Sequence, residues 1–581
     1  MRVVDGNERN PYAARPWLAS YPEGCPSDID VPDMPLPEAF NRAAGKWKYR
    51  PALIFYGRKI LYGELADLVN RFAAALHSLG VRKGDLVALF LLNCPQFVIA
   101  YLGSLKVGAI VVPIDALSAT PELKALLEDS GARTIVCQDI LFEFVEKAGA
   151  QLDSIIVAGV GDYLSRPKKF FGTTFVKVLY QKMQIPPARI PRGPHIYSFQ
   201  SLLKESEPSP PSVDIDARND LAVLSYTAGT TEEAKGVMLS HYNFLAAHVM
   251  TGAVWSCGVN SAKQLNQGKE VALAILPFSH IYGQALVLLG GLLSGYTLVM
   301  LTNPDVEDIV SCVGRYCVTF LAAVPGLYGQ LNEYEKTERI SWKRVKVALA
   351  VGDSISKGMA EDWQRRTGTS IHEWYGSTET ASAVCFNPGE KGKRGALGIP
   401  LPGTLAAIAH PERPEMLAFG EVGELVVKGP QLMRGYWRRD ADTGQAFVEI
   451  DGETWVRTGD MARIDGEGCF HFYDRKMDRI VCRETCIFAR EIEEVLKTHP
   501  MVKEAAIIGV PDQKAGVCIK AVIIVKSGAR GKVSDEEIIG FCRERLGDDK
   551  TPRLVEFRGE IPKTEVGKVS RRELREERDL L

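Results

Sequence analysis

Nowhere in its 581 residues does this chain carry an apolar run long enough to cross a bilayer. The longest, around Leu86 to Leu92 and Ala285 to Leu293, fall well short of the roughly 20 residues that a spanning helix needs. Net charge is lacking as well, since 70 basic side chains stand against 72 acidic ones. The molecule as a whole therefore has no field suited to gripping nucleic acid, and no nucleic-acid partner is expected. The opening stretch, MRVVDGNERNPYAARPW, puts charges and prolines where a signal peptide needs an apolar core, so a cytoplasmic protein is expected. Twelve cysteines are scattered singly, and the nearest groupings, Cys312 with Cys317 and Cys482 with Cys486, lack the second pair of a zinc site. Reduced structural thiols are the expectation. No fixed-period repeat is present, which excludes a solenoid.

What is there is a chain of 46% hydrophobic residues, long enough for several cores. From Tyr62 a helical pattern, LADLVNRFAAALHSLG, runs into the apolar LVALFLLN, then into helix-like PQFVIAYLGSLKVG and apolar AIVVPID. The alternation recurs through Thr134 to Cys137, Ile155 to Ala158, Leu221 to Tyr226, Val271 to Leu276, Thr297 to Leu301 and Val345 to Val351. Helices alternating with short apolar strands predict an α/β protein whose parallel, doubly wound sheets are covered on both faces. After Gly403 the texture shifts to short β-like pieces, predicting a β-rich subdomain. The charged DRKMDR segment then precedes a compact βα pattern, predicting a small, mobile α+β domain. The expected division is 1–474 for the large N-terminal domain and 475–581 for the C-terminal one.

Between the strand LAVLSY and a helix-like VMLSHYNFLAAHVM lies Thr227-Ala228-Gly229-Thr230-Thr231-Glu232-Glu233-Ala234-Lys235-Gly236. Small hydroxyl residues, glycine and a lysine at such a place let backbone N–H groups, hydroxyls and an ammonium surround a phosphate chain. A polyphosphate is the natural ligand, with an ordinary polar turn as the plain alternative.

Taken with Tyr375-Gly376-Ser377-Thr378-Glu379-Thr380, Arg457-Thr458-Gly459-Asp460 and Pro562-Lys563-Thr564-Glu565-Val566-Gly567-Lys568, this loop resembles the adenylate-forming enzymes: acyl-CoA synthetases, luciferases and peptide-synthetase adenylation domains. The motifs stand in that family's order and spacing, from roughly Leu36 to Leu574. The resemblance implies that ATP activates a carboxylic acid to an acyl-adenylate, which coenzyme A then takes over as a thioester, with Mg²⁺ as the metal. It implies that Thr227, Thr230, Thr231 and Lys235 hold the β- and γ-phosphates, and it assigns Gly229, Gly352 and Gly376 to the same nucleotide site. Tyr375 is implied to pack on adenine, Thr378 to contact the α-phosphate and Glu379 to ligate Mg²⁺, a hard cation that prefers oxygen. Asp460 is implied to accept hydrogen bonds from the ribose hydroxyls, and Arg475 to bind ribose or phosphate. The implied catalytic set is Lys568, Thr378, Glu379 and His280. For Lys568, a cation about 4 Å from an anion at an effective dielectric near 20 is worth about 4 kcal/mol, enough for a large rate effect.

LPFSHIYG resembles the segment lining the acyl pocket of fatty acyl and aryl ligases, which places His280 near the carboxylate, with a satisfied buried histidine as the other reading. Residues 161–193 carry seven Lys or Arg against one Asp, interleaved with Phe170, Phe171, Phe175 and Met183. This segment resembles an insert of bacterial long-chain fatty-acid–CoA ligases and suits a peripheral membrane contact, with a homodimer contact or a basic surface excursion left open. A lipid-facing enzyme favours a fatty acid as substrate.

Two places depart from the family's pattern. Glu232 stands where the family has glycine, and Arg483 and Glu484 replace a Ser-Gly pair just after Met477, which occupies the usual pivot. A carboxylate at Glu232 adds repulsion toward a triphosphate, and one at Glu484 obstructs the pantetheine arm. Two readings follow: a fatty acid–CoA ligase, and an adenylation-only or acyl- and nucleotide-binding homologue with impaired thioester formation.

Overall fold

The computed structural model describes residues 11–164, 190–191, 193–227, 234–258, 264–302, 305–388, 392–482, 485–512, 516–528, 531–563 and 569–576. The apolar runs form two large sheets. One has seven strands in the spatial order Ile196–Ser198, Ser154–Ala158, Thr134–Gln138, Leu86–Phe90, Ile110–Ile114, Leu221–Tyr226 and Gly236–Ser240, parallel except for the last pair. The other has nine, with Pro51–Phe55, Thr297–Met300, Val271–Ala274, Phe320–Ala323, Val347–Val351 and Ile371–Tyr375 as its parallel centre. Strands such as Ile110–Ile114 and Val347–Val351 are buried at every residue, as parallel strands covered on both faces must be.

Three loops leave the carboxyl ends of these strands, where open α/β sheets place their ligands. One follows Tyr226, whose register partner Gly236 starts the antiparallel return strand. The others follow Val351 and Tyr375, on adjacent parallel strands. The apolar run after Tyr282 forms a wide-turned π-helix, Gly283–Leu289, that continues into an α-turn, Gly290–Leu293. Only the apolar character of that run was legible in the sequence.

The predicted β-rich subdomain is an antiparallel sheet of Leu405–Ala409, Gly423–Lys428, Glu453–Ile464, Phe447–Ile450 and Phe470–Arg475, with the short helix Asp440–Ala446 beside it. Its register sets Asp460 opposite Arg475, so the expected 474/475 division falls at the last step of a strand. The C-terminal portion has its own sheet, Val502–Asp512, Gly516–Val525 and Leu554–Phe557, packed by the helices Ala489–Lys497 and Asp535–Leu546 around Ile492, Leu496, Ile507 and Ile538. The second helix starts where Ser534 accepts the Glu537 amide and three acidic residues fill the first turn. No disulfide joins the cysteines whose side chains are described, from Cys25 to Cys542. Among the described residues no helix is long and apolar enough to cross a membrane.

A buried ion cluster closes the C-terminal portion: Arg571 pairs with Asp478 at 2.8 Å and Glu493 at 2.7 Å, and both acids are nearly fully covered. Arg571→Ala takes the cation from buried Glu493 and leaves Asp478 with Arg575 alone, and is expected to destabilise this portion by about 3–5 kcal/mol, seen as a separate early transition in urea unfolding.

Candidate active site

An open cleft of about 600 Å³ lies at the carboxyl ends of Val347–Val351 and Ile371–Tyr375, in the size range of small-molecule pockets. Its walls include Tyr282, Gly352, Tyr375, Gly376, Asp460 and Arg475. Gly352 has φ +87°, the left-handed region that glycine enters at no steric cost. At Gly376 the reason is space: a Cβ there would lie 2.2 Å from the Ser382 carbonyl. That approach comes from a tight knot in which Ser377 N donates to Thr380 Oγ1 (2.8 Å) and Trp374 Nε1 to Ser382 O (2.7 Å). The knot presents Thr378 and Glu379 in a single 3₁₀ turn beside the cleft.

Asp460 is only 1% exposed. The Tyr375 hydroxyl donates to its Oδ2 at 2.5 Å, and Arg475 Nε lies 2.8 Å from its Oδ1. The arginine contact is an ion pair without hydrogen-bond geometry, which leaves Oδ1 with no hydrogen bond among the described residues. Burial, and then the neighbouring carboxylate, push the Tyr375 hydroxyl well above its ordinary pKa. The same carboxylate raises Arg475, so this cation stays charged at any working pH.

Glu373, half a strand back, was not singled out in the sequence. Burial raises its pKa, while the Gly395 and Ile355 amides and the Asn387 amide group donate to it and oppose the rise. It ties three segments of the cleft wall together.

At the phosphate-loop end, Thr227 and Lys235 close the neck of the loop: Thr227 N donates to Lys235 O, and Lys235 N to Thr227 Oγ1, each at 3.0 Å. Lys235 Nζ lies 2.7 Å from Asp442 and 5.5 Å from the ring centre of Tyr436. The Tyr436 hydroxyl in turn donates to Glu379 Oε1 at 3.0 Å. The expected phosphate lysine and the expected metal ligand are thus linked through one aromatic ring. Gly229, Thr230, Thr231 and Glu232, together with Glu484 and Lys568, lie outside the described residues.

His280 stacks on Tyr282, with ring centres 5.4 Å apart, and its Nδ1 accepts the Tyr282 amide at 3.3 Å. Tyr282 lines the cleft, and its hydroxyl donates to Gly376 O at 2.5 Å. Its position in LPFSHIYG was the available signal. Arg490 was invisible in the sequence: it lines the cleft from the C-terminal portion, donates to Ser354 Oγ at 2.8 Å and lies over the Phe472 ring at 4.9 Å. Asp442 and Tyr436 carried no motif signal of their own.

The family model "AMP-binding enzyme" matches residues 40–437, and its companion, "AMP-binding enzyme C-terminal domain", matches 491–568. The chain is 35% identical over 567 residues to the long-chain-fatty-acid–CoA ligase of Bacillus subtilis, covering 97% of this chain and 98% of that one. The Salmonella typhimurium protein of the same name is 35% identical over 570 residues, with the same coverage. Among solved structures, ATP-bound MatB from Rhodopseudomonas palustris superposes with a TM-score of 0.77 at 25% identity, covering 94% of this chain and 99% of that one. A long-chain-fatty-acid–CoA ligase from Archaeoglobus fulgidus shares the fold, with a TM-score of 0.67 at 24% identity, covering 93% of this chain and 99% of that one.

Gly376→Ala forces a methyl group into the Ser382 backbone. It is expected to lower the melting temperature and to weaken ATP binding at least tenfold in calorimetry, whereas an alanine at the uncrowded Gly444 is expected to leave ATP affinity unchanged.

Proposed function

The chain belongs to the AMP-binding enzyme family and is an AMP-forming acid–CoA ligase, and from that premise we propose that its acid is a fatty acid and that the cleft at Asp460 is its nucleotide site. The observation that carries the site assignment is the Asp460 carboxylate: desolvated, anchored by Tyr375 and Arg475, with one oxygen lacking a hydrogen bond among the described residues. A buried acceptor of this kind calls for a donor, and two vicinal ribose hydroxyls supply them. The adenylation-only reading suggested by Glu232 and Glu484 is not favoured, because the match to curated acid–CoA ligases runs through 97% of the chain.

In the proposed reaction a carboxylate oxygen of the acid attacks the α-phosphorus of ATP, the bond to pyrophosphate breaks, and the acyl-adenylate forms. The thiol of coenzyme A then attacks the acyl carbon and AMP leaves. Tyr375 lies against adenine, Asp460 and Arg475 hold the ribose, Gly352 and Gly376 let the backbone approach the nucleotide, and Thr378 contacts the α-phosphate. Thr227, Gly229, Thr230, Thr231 and Lys235 hold the β- and γ-phosphates so that pyrophosphate departs in line. His280 orients the acid's carboxylate through its stack with Tyr282.

Glu379 fits a hard cation: among the described residues its Oε1 meets the neutral Tyr436 hydroxyl, and the carboxylate supplies oxygen ligands. Mg²⁺ bound there would screen the negative charge of the phosphates. Residues 1–474 bind ATP and acid, and 475–581 form the movable unit that brings Lys568 to the α-phosphate and later makes way for coenzyme A. Residues 161–193 supply a peripheral contact with the membrane face where a poorly soluble acid resides.

Purified protein supplied with ATP, Mg²⁺ and a series of fatty acids is expected to exchange pyrophosphate into ATP without coenzyme A and to release AMP when coenzyme A is added. Exchange with no thioester product would reject the ligase reading, and activity confined to hydrophilic acids would reject the fatty acid. Lys568→Ala is expected to slow single-turnover adenylate formation about 10²- to 10³-fold, while ATP affinity changes little. A normal single-turnover rate in that variant would remove Lys568 from the chemistry.

A further inference from the structure

Asp442 sits in the first turn of the helix Asp440–Ala446, and its Oδ1 meets the Lys235 ammonium at 2.7 Å. We propose that Asp442 is a positioning residue that competes with the phosphates of ATP for Lys235, giving up the ammonium when the triphosphate binds and recovering it as pyrophosphate leaves. This rests on the reading of Lys235 as a phosphate ligand and adds to that reading a partner in the protein.

Of the two groups, the carboxylate is the fixed one. The segment that carries it is laced to the strand leaving the phosphate loop: Trp437 N donates to Gly236 O (2.8 Å), Met238 N to Gly435 O (3.0 Å) and Arg434 N to Met238 O (2.9 Å). Tyr436 N donates to Thr443 Oγ1 at 2.9 Å, which pins the turn next to Asp442. Asp442 is a short side chain on that anchored turn, whereas the lysine ammonium rides on a flexible four-carbon stem, so an exchange of partners moves the lysine.

The strength of the pair also suits an exchange. Its side chains are 20% and 30% exposed, so solvent screens the attraction and a polyanion outcompetes a single carboxylate. A fully buried pair would hold the lysine too firmly to be given up. The Tyr436 ring lies 5.5 Å from the ammonium, and its hydroxyl donates to Glu379. Lys235 is therefore held in register with Glu379, the residue read as the metal ligand.

The test is a double-mutant cycle on the full chain, read as MgATP affinity by titration calorimetry and as steady-state kinetics. Asp442→Asn is expected to bind MgATP about two- to fivefold more tightly, the size of a partly exposed ion pair. It is also expected to turn over more slowly at saturation, because the Asp442 carboxylate no longer draws the lysine away as pyrophosphate leaves. Asp442→Glu is expected to restore wild-type affinity and turnover, and Asp442→Ser gives the same reading if Asp442→Asn does not fold. In a Lys235→Met background the tightening is expected to vanish. Unchanged or weaker ATP affinity in Asp442→Asn overturns the proposal. So does full tightening in the Lys235→Met background, since the carboxylate would then act on the nucleotide without the lysine. Wild-type ATP affinity in Lys235→Met alone overturns the phosphate role of Lys235, a failure distinguishable from the other two.

Discussion

A carboxylate that is 1% exposed must find compensating partners within the protein, and at Asp460 those partners come from two different sheets. Tyr375 ends a parallel strand of the nine-stranded sheet, and Arg475 ends an antiparallel strand of the β-rich subdomain. Removing either partner would strand much of the cost of burying that charge. The pairing therefore fixes how the subdomain meets the large sheet, and the cleft exists because the two meet there. Gly376 permits the approach, since any side chain at that position would collide with the Ser382 backbone and shift the strand end that carries Tyr375.

The same logic governs the rest of the site, where each described cation already has a partner in the protein. Arg475 is paired with Asp460, Lys235 with Asp442, and Arg490 donates to Ser354. Donors held in place before a polyanion arrives cost little reorganisation when it binds. The partners differ in how firmly they hold. Asp460 is buried and keeps its arginine charged and oriented, while Asp442 is partly solvated and holds its lysine loosely.

The join to the C-terminal portion follows a related pattern. On one side of Met477, Lys476 donates to Pro411 O at 2.6 Å and pairs with Glu424 at 3.1 Å, and on the other Arg479 pairs with Glu412 at 3.1 Å. Met477 itself is 56% exposed. Charged anchors thus flank a residue that packs against little, and Arg490 forms a second tie farther along the chain. An uncharged, exposed residue between two ionic anchors suits a place where the backbone changes direction.

Sequence alone determined the α/β alternation, the three-part organisation and the motifs that bound the cleft. Apolar strands alternating with amphipathic helices, and glycines at strand ends, are local patterns that a chain displays before it folds. Tyr375, Gly376, Gly352, Asp460 and Arg475 were legible through the resemblance of their motifs to those of the adenylate-forming enzymes, and they line one cleft. The tertiary structure alone decided that Tyr282 lines the cleft, that Arg490 meets Ser354 across 136 positions, and that Asp442 holds Lys235. Those contacts join residues far apart in the chain, and their partners are selected by sheet register and packing, which no short-range spacing encodes.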